Sequence, residues 1–177
     1  MNQLVLHFSC TECNGWPKLK FFIDDDLYHD YEFNSTIASV EIPLELLTGQ
    51  HQLEIEFYGK TQNNTIQINN CIVKDQLVTL DSLTIDNITV PDFIKYRGLY
   101  RVGNTERPQI LTWGENGTWM LQFEYPIIDW ILNLKMQATL SHIDDAQWAT
   151  SVFHPKKIQT LKETLKVLEK ILTDVDT

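Results

Sequence analysis

The sequence is poor in the features that usually announce a reaction or a compartment. Cysteine occurs three times in 177 residues, as Cys10, Cys13 and Cys71, an odd count that makes no disulfide framework and fits a reducing environment. The four Asn-x-Ser/Thr triplets beginning at Asn34, Asn63, Asn87 and Asn116 then read as turn chemistry rather than glycan acceptors. Basic residues number 14 against 24 acidic ones, a formal charge of −10. That sign opposes phosphate neutralisation, so neither nucleic acid nor anionic membrane is an expected partner. No run approaches the roughly 20 apolar residues that span a bilayer, and the best, Ile127 to Leu134, is broken by Asp129 and Asn133. The opening Met-Asn-Gln-Leu-Val-Leu-His-Phe lacks the basic and apolar regions of a secretory signal. The expected location is cytoplasmic, or a virus particle if the chain comes from one. G-x-S-x-G, H-E-x-x-H and P-loop patterns are missing, and His7, His29, His51, His142 and His154 form no i, i+4 pair. Motifs therefore nominate no catalytic residue, no cofactor and no metal ligand.

What is present is material for a core. Hydrophobic residues make up 43% and aromatics 11%, enough to close one domain of ordinary size. Leu19, Phe21 and Ile23 alternate ahead of Asp24-Asp25-Asp26, and Leu27 to Phe33 follows as the second arm of a β-hairpin. Ala38 to Ile42 and Gln52 to Phe57 flank Thr48-Gly49-Gln50, the second run alternating strictly, which gives one wet and one buried face. With Leu4 to Phe8, Thr65 to Ile68, Leu77 to Leu80 and Leu83 to Asp86, about eight short strands fall in the first 90 residues. Such spacing points to a sandwich or barrel.

From Pro91 to Pro108 the pattern is irregular and carries a cationic cluster, Lys95, Arg97, Arg101 and Arg107. A linker or long excursion is expected there, and such excursions usually bind something. Gln109 to Trp113 and Thr118 to Phe123 are β-prone and joined through Gly114-Glu115-Asn116-Gly117, which predicts a type I′ hairpin with Trp113 and Trp119 adjacent on its ladder. Ile127 to Leu134 fits a short helix or a buried strand equally, and Asp144, Asp145 and Gln147 suggest a polar loop. Beyond Pro155, Ile158, Leu161, Leu165, Leu168, Leu172 and Val175 recur at heptad spacing. The acidic excess lies before this segment, whose own charges nearly balance. Leu161, Leu165, Leu168 and Leu172 either pack on their own domain or grip a partner.

The chemistry-bearing residues leave several readings open. Cys10-Thr11-Glu12-Cys13 is a lone C-x-x-C, for which zinc would need Cys71 and His7, and a redox role would need a helix after it, where Asn14-Gly15-Trp16-Pro17 forms a turn. Asp24, Asp25, Asp26, Asp81, Asp86 and Asp92 can supply calcium ligands only if the fold gathers them; solvated turns are the plainer reading. A glycosidase needs two facing carboxylates, and the sequence offers no way to choose a pair. His29, on the Leu27/Tyr31/Phe33 face, reads as a satisfied core histidine. Of Trp16, Trp113, Trp119, Trp130 and Trp148, most are expected in the core and one or two at the surface.

The hairpin Leu19 to Leu27 with its polar tip, Gly49 to Phe57, and the late Leu80-Asp81-Ser82-Leu83-Thr84-Ile85 together resemble the jelly-roll carbohydrate-binding modules of the calcium-dependent xylan-binding type, a sandwich also reused in tailed-bacteriophage structural proteins. The resemblance covers about half the chain and carries over no metal ligand residue by residue. The expected fold is mainly β: an antiparallel, jelly-roll-like sandwich over 1–90, an extension over 91–154 with a β-hairpin, and an amphipathic helix over 155–177. The expected role is non-catalytic, a structural or attachment subunit of a larger assembly such as a phage particle. Its partners would be further copies or neighbouring subunits, gripped through Lys95, Arg97, Arg101, Arg107 and the leucines of the terminal helix. Carbohydrate binding is the alternative and a glycan-active enzyme the third reading.

Overall fold

Alternation of buried and exposed side chains governs the strands that fill the core. The computed structural model describes residues 2–144, with side chains over 3–137. In chain order the strands are β1 (Asn2–Thr11), β2 (Lys18–Ile23), β3 (Asp26–Glu32), β4 (Ile37–Leu44), β5 (Gly49–Tyr58), β6 (Thr65–Ile68), β7 (Cys71–Asp75), β8 (Leu77–Ile85) and β9 (Ile88–Thr89). A short helix, α1 (Asp92–Lys95), precedes β10 (Leu99–Val102), β11 (Thr105–Pro108), β12 (Thr112–Trp113) and β13 (Gly117–Tyr125). Helix α2 spans Ile127–Asp144.

Two antiparallel sheets face each other. One runs β12-β8-β1-β4 with β9 attached to β8, and the other β11-β10-β13-β5-β2-β3, while β6 and β7 form a separate hairpin. Leu4, Leu6, Phe8, Val40, Ile42, Val78, Leu80, Leu83 and Ile85 line the inner face of the first sheet; Leu19, Phe21, Leu53, Ile55, Phe57, Trp119 and Leu121 line the second, and all are buried. Removing each such side chain from water contributes roughly 1.5–3 kcal/mol, so this interleaved layer is what holds the sheets together. The antiparallel sandwich expected from the alternation is therefore the fold.

Several expectations are corrected. The sandwich does not stop at residue 90, because β13 lies between β10 and β5 in the middle of the second sheet. The Pro91–Pro108 stretch is folded: α1 buries Ile94 and Lys95, and β10 and β11 supply the hairpin of the extension. The two runs over 109–124 do not pair. Trp113 joins the first sheet opposite Val78 and Trp119 the second opposite Ile55, so Gly114 to Asn116 crosses between layers. Their rings still meet, 6.3 Å apart, through the core. The two-residue turns with positive φ sit elsewhere, at Asp24-Asp25, Asn69-Asn70 and Asp86-Asn87.

Leu77 to Leu80 and Leu83 to Asp86, read as separate runs, belong to one strand. A register shift opposite His7/Phe8 pairs Leu80 with Phe8 and Ser82 with His7, leaving Asp81 as the unpaired residue of a β-bulge. The bulge lets Leu80 and Leu83, three apart, both point inward. Ile127 to Leu134 is helical, within α2. His29 is exposed, because β3 is an edge strand with β2 as its partner; its ring only leans on Phe21 and Tyr31. The chain divides into two units, Met1–Ile131 and Leu132–Thr177. The expected terminal helix at 155–177, with Leu161, Leu165, Leu168 and Leu172, lies outside the described residues.

Candidate functional site

The β8 bulge has a second effect: its unpaired residue, Asp81, is exposed on the first sheet. There Thr79, Leu80 and Asp81 of β8, Asp92, Lys95 and Tyr96 of the α1 turn, and Gln109, Ile110, Leu111 and Thr112 enclose a cleft of about 490 Å³. Its walls are fixed by the backbone. Leu80 donates its amide to the Leu111 carbonyl, Val90 donates to the Leu83 carbonyl, and fully buried Ile94 pins α1 to the core. Gln109 adopts φ 61°, a left-handed conformation that swings the chain from β11 toward β12.

Lys95 stiffens this arrangement from beneath. Its side chain is 4% exposed and its ammonium lies 3.0 Å from Oδ1 of Asp92, while also donating to the Asp81 carbonyl. A buried ammonium with two acceptors is satisfied, and it fixes both the bulge and the Asp92 carboxylate. On the cleft surface the Thr79 and Thr112 hydroxyls share a 2.9 Å hydrogen bond, and Ser9 donates to Oδ1 of Asp81 at 3.1 Å. Asp81 and Asp92 are exposed, and Tyr96, 47% exposed, offers a ring to solvent. The lining thus combines carboxylate, amide and hydroxyl groups with one accessible aromatic face. Two carboxylates against one ammonium disfavour an anionic ligand.

Of the four cations in the proposed partner cluster, Lys95 is spent inside the fold. Arg101 is 2.8 Å from Glu106, Arg107 is 2.9 Å from Glu115, and Arg97 is exposed. The Arg107 guanidinium holds the Glu115 carboxyl below its ordinary range. These residues lie along β10, β11 and the α1 turn, with Arg101 and Arg107 each paired to a carboxylate.

The aspartates considered for calcium fall in separate places, with Asp24, Asp25 and Asp26 together at the β2–β3 turn. Asp24 faces His51, Asp86 binds the Gln3 amide and the Tyr125 hydroxyl, and Asp81 and Asp92 belong to the cleft. Among the described residues no three His, Cys, Asp or Glu side chains gather as a metal site. Cys10 and Cys13 are buried, and burial pushes the Cys10 thiol up to about 11, leaving it protonated and unreactive. Cys71 is exposed on β7, remote in the chain from exposed His7 of β1. Trp113 and Trp119 are core, Trp130 is nearly buried, and Trp16 is half-buried. Trp148 lies outside the described residues. Sequence reading named Asp81 and Asp92 but not the cleft that unites them; the broken alternation between Leu80 and Leu83 was the available sign of a bulge.

No family model matches the chain, and no curated protein matches it in sequence. Two solved structures of the carbohydrate-binding module vCBM60 are similar to it. One, in complex with galactobiose, is 8% identical and aligns over 67% of this chain and 96% of that one, with a TM-score of 0.48. The other is the selenomethionine form, from work on circular permutation as an evolutionary link between two families of calcium-dependent carbohydrate-binding modules. It is 10% identical over 68% of this chain and 90% of that one, with a TM-score of 0.48.

Proposed function

We propose that the chain is a non-catalytic binding module whose cleft beside the β8 bulge receives a neutral, polyhydroxylated ligand of the glycan class. The observation that supports this reading is the cleft lining itself. Sugar hydroxyls donate to carboxylates and exchange hydrogen bonds with Thr79, Thr112 and Gln109, while the C–H face of a pyranose packs on an exposed ring such as Tyr96. Asp81 and Asp92 are both solvent-exposed, unlike the desolvated carboxyl that a glycosidase keeps as its general acid. The two aspartates therefore serve as acceptors in this reading.

The test is a titration of the full chain with neutral oligosaccharides, with calcium and with a chelator, following backbone amides by NMR. Amides of 79–81, 92–96 and 109–112 should shift together. Tyr96→Ala should weaken binding about tenfold, the worth of one ring contact at roughly 1.4 kcal/mol. Silence of these amides across a broad panel of neutral glycans would remove the proposal.

A second reading, attachment subunit of a larger assembly such as a tailed-phage particle, has its own support. The β6–β7 hairpin forms a two-stranded sheet of its own and exposes Ile68, Ile72 and Val73 by more than half of their surfaces. Apolar side chains concentrated in this way commonly mark an interaction surface. Homo-oligomers or neighbouring subunits are the partners this reading implies.

A further inference from the structure

His51 occupies the place where the inner row of β5 reaches the end of the sandwich. Leu53, Ile55 and Phe57 fill the core, and His51 continues the same face one step further, paired with Phe123 of β13, the two rings 5.7 Å apart. Only 11% of its side chain is exposed. Both ring nitrogens are engaged. Nδ1 lies 2.6 Å from Oδ2 of Asp24 in the β2–β3 turn, and Nε2 lies 2.7 Å from the Leu47 carbonyl in the β4–β5 connection.

Both of these partners are acceptors. A neutral imidazole carries one N–H, so donating to both requires the imidazolium. The charged group facing the ring is Asp24 from the turn; β13 contributes the uncharged Phe123 ring and the connection a backbone carbonyl. Burial works against the charge, but the Asp24 hydrogen bond, the Leu47 carbonyl and the Asp24 charge together outweigh it and raise the His51 pKa above the ordinary 6.5. Asp24, also partly desolvated, accepts from His51 and from the Gln52 amide and is held below its ordinary 3.8.

We propose that His51 is a proton-operated latch on the β4–β5 crossover. Protonated, it ties the β2–β3 turn of one sheet to the connection that leaves the other. When the proton is lost, Nδ1–H stays with the carboxylate, and a bare Nε2 then faces the Leu47 oxygen, two acceptors at hydrogen-bond distance. The 45–48 segment is released and with it Leu47, already 82% exposed. The latch also touches α2 indirectly, because Phe123 packs on Trp130 at 6.4 Å.

The test is an NMR pH titration of the intact chain between roughly pH 5 and 9, a range that brackets the ordinary histidine value. The His51 ring should titrate above 6.5, and the amides of 46–49 should shift and lose exchange protection with the same midpoint. Asp24→Asn should move that midpoint down. His51→Gln should abolish the loop transition while core amides keep their positions. A ring titrating at or below the ordinary value, or loop amides indifferent to its midpoint, would overturn the latch; either result is read from the unmodified chain, so misfolding of a variant leaves the test intact.

Discussion

Single side chains carry unequal loads in this sandwich, and two positions show why. Lys60 is 8% exposed, paired with Asp75, and also donates to the Gln76 and Gly114 carbonyls. One ammonium thus joins the foot of the β6–β7 hairpin to the crossover between β12 and β13. Lys60→Met should cost about 3 kcal/mol, the usual penalty for stranding the partner of a buried ion pair, measured by urea unfolding. Gly98 is constrained by shape instead: a Cβ there would come within 2.4 Å of the Trp119 indole. Gly98→Ala should therefore destabilise by about 1–3 kcal/mol through overpacking, and a variant as stable as the parent would contradict the packing described. The His51–Asp24 pair adds a pH signature. A raised histidine pKa stabilises fully below 6.5 and loses that contribution as pH rises through the folded value. A lowered aspartate pKa stabilises above 3.8 and loses its contribution in acid. Thermal unfolding should then show the pair's benefit between those two values, and His51→Gln should flatten the decline on the alkaline side.

At the scale of elements, what the sequence disclosed was the part written in strict alternation. β2, β4 and β5 alternate residue by residue, and each lies where that rhythm puts it. β8 was half legible, because the bulge at Asp81 resets the alternation and makes one strand look like two. The pairing of β12 and β13 was misread for a different reason: Asn116-Gly117 has the composition of a tight turn, but the burial of Trp113 and Trp119 in opposed sheets outweighs local turn preference. α1 was hidden because four residues give no periodicity to read. The cleft was illegible since its walls come from three segments that meet only in the fold. The β6–β7 hairpin poses an elemental test of its own. Replacing Ile68 and Ile72 with Thr keeps strand propensity and should leave the fold unchanged while lowering any self-association seen by light scattering.

For the molecule as a whole, native mass and ligand response decide between roles. If the chain is an attachment subunit, deleting residues 155–177 should lower its native mass while the β-rich circular dichroism stays as it was. An identical mass before and after deletion would leave the terminal segment without that role. The glycan reading makes no demand on native mass, so sedimentation and oligosaccharide titration together separate the two. The placement of β13 has a further consequence for biosynthesis. Among the described residues this strand is the last of the sandwich to leave the ribosome, yet it is flanked on both sides by strands made earlier. Until it arrives, a nascent chain holds β5 and β10 as bare, adhesive borders. Closure of that layer waits for a contact between distant parts of the polypeptide, the slow kind of step, so translation pauses and chaperone supply in the interval before residue 125 should govern how much of the protein reaches its native state.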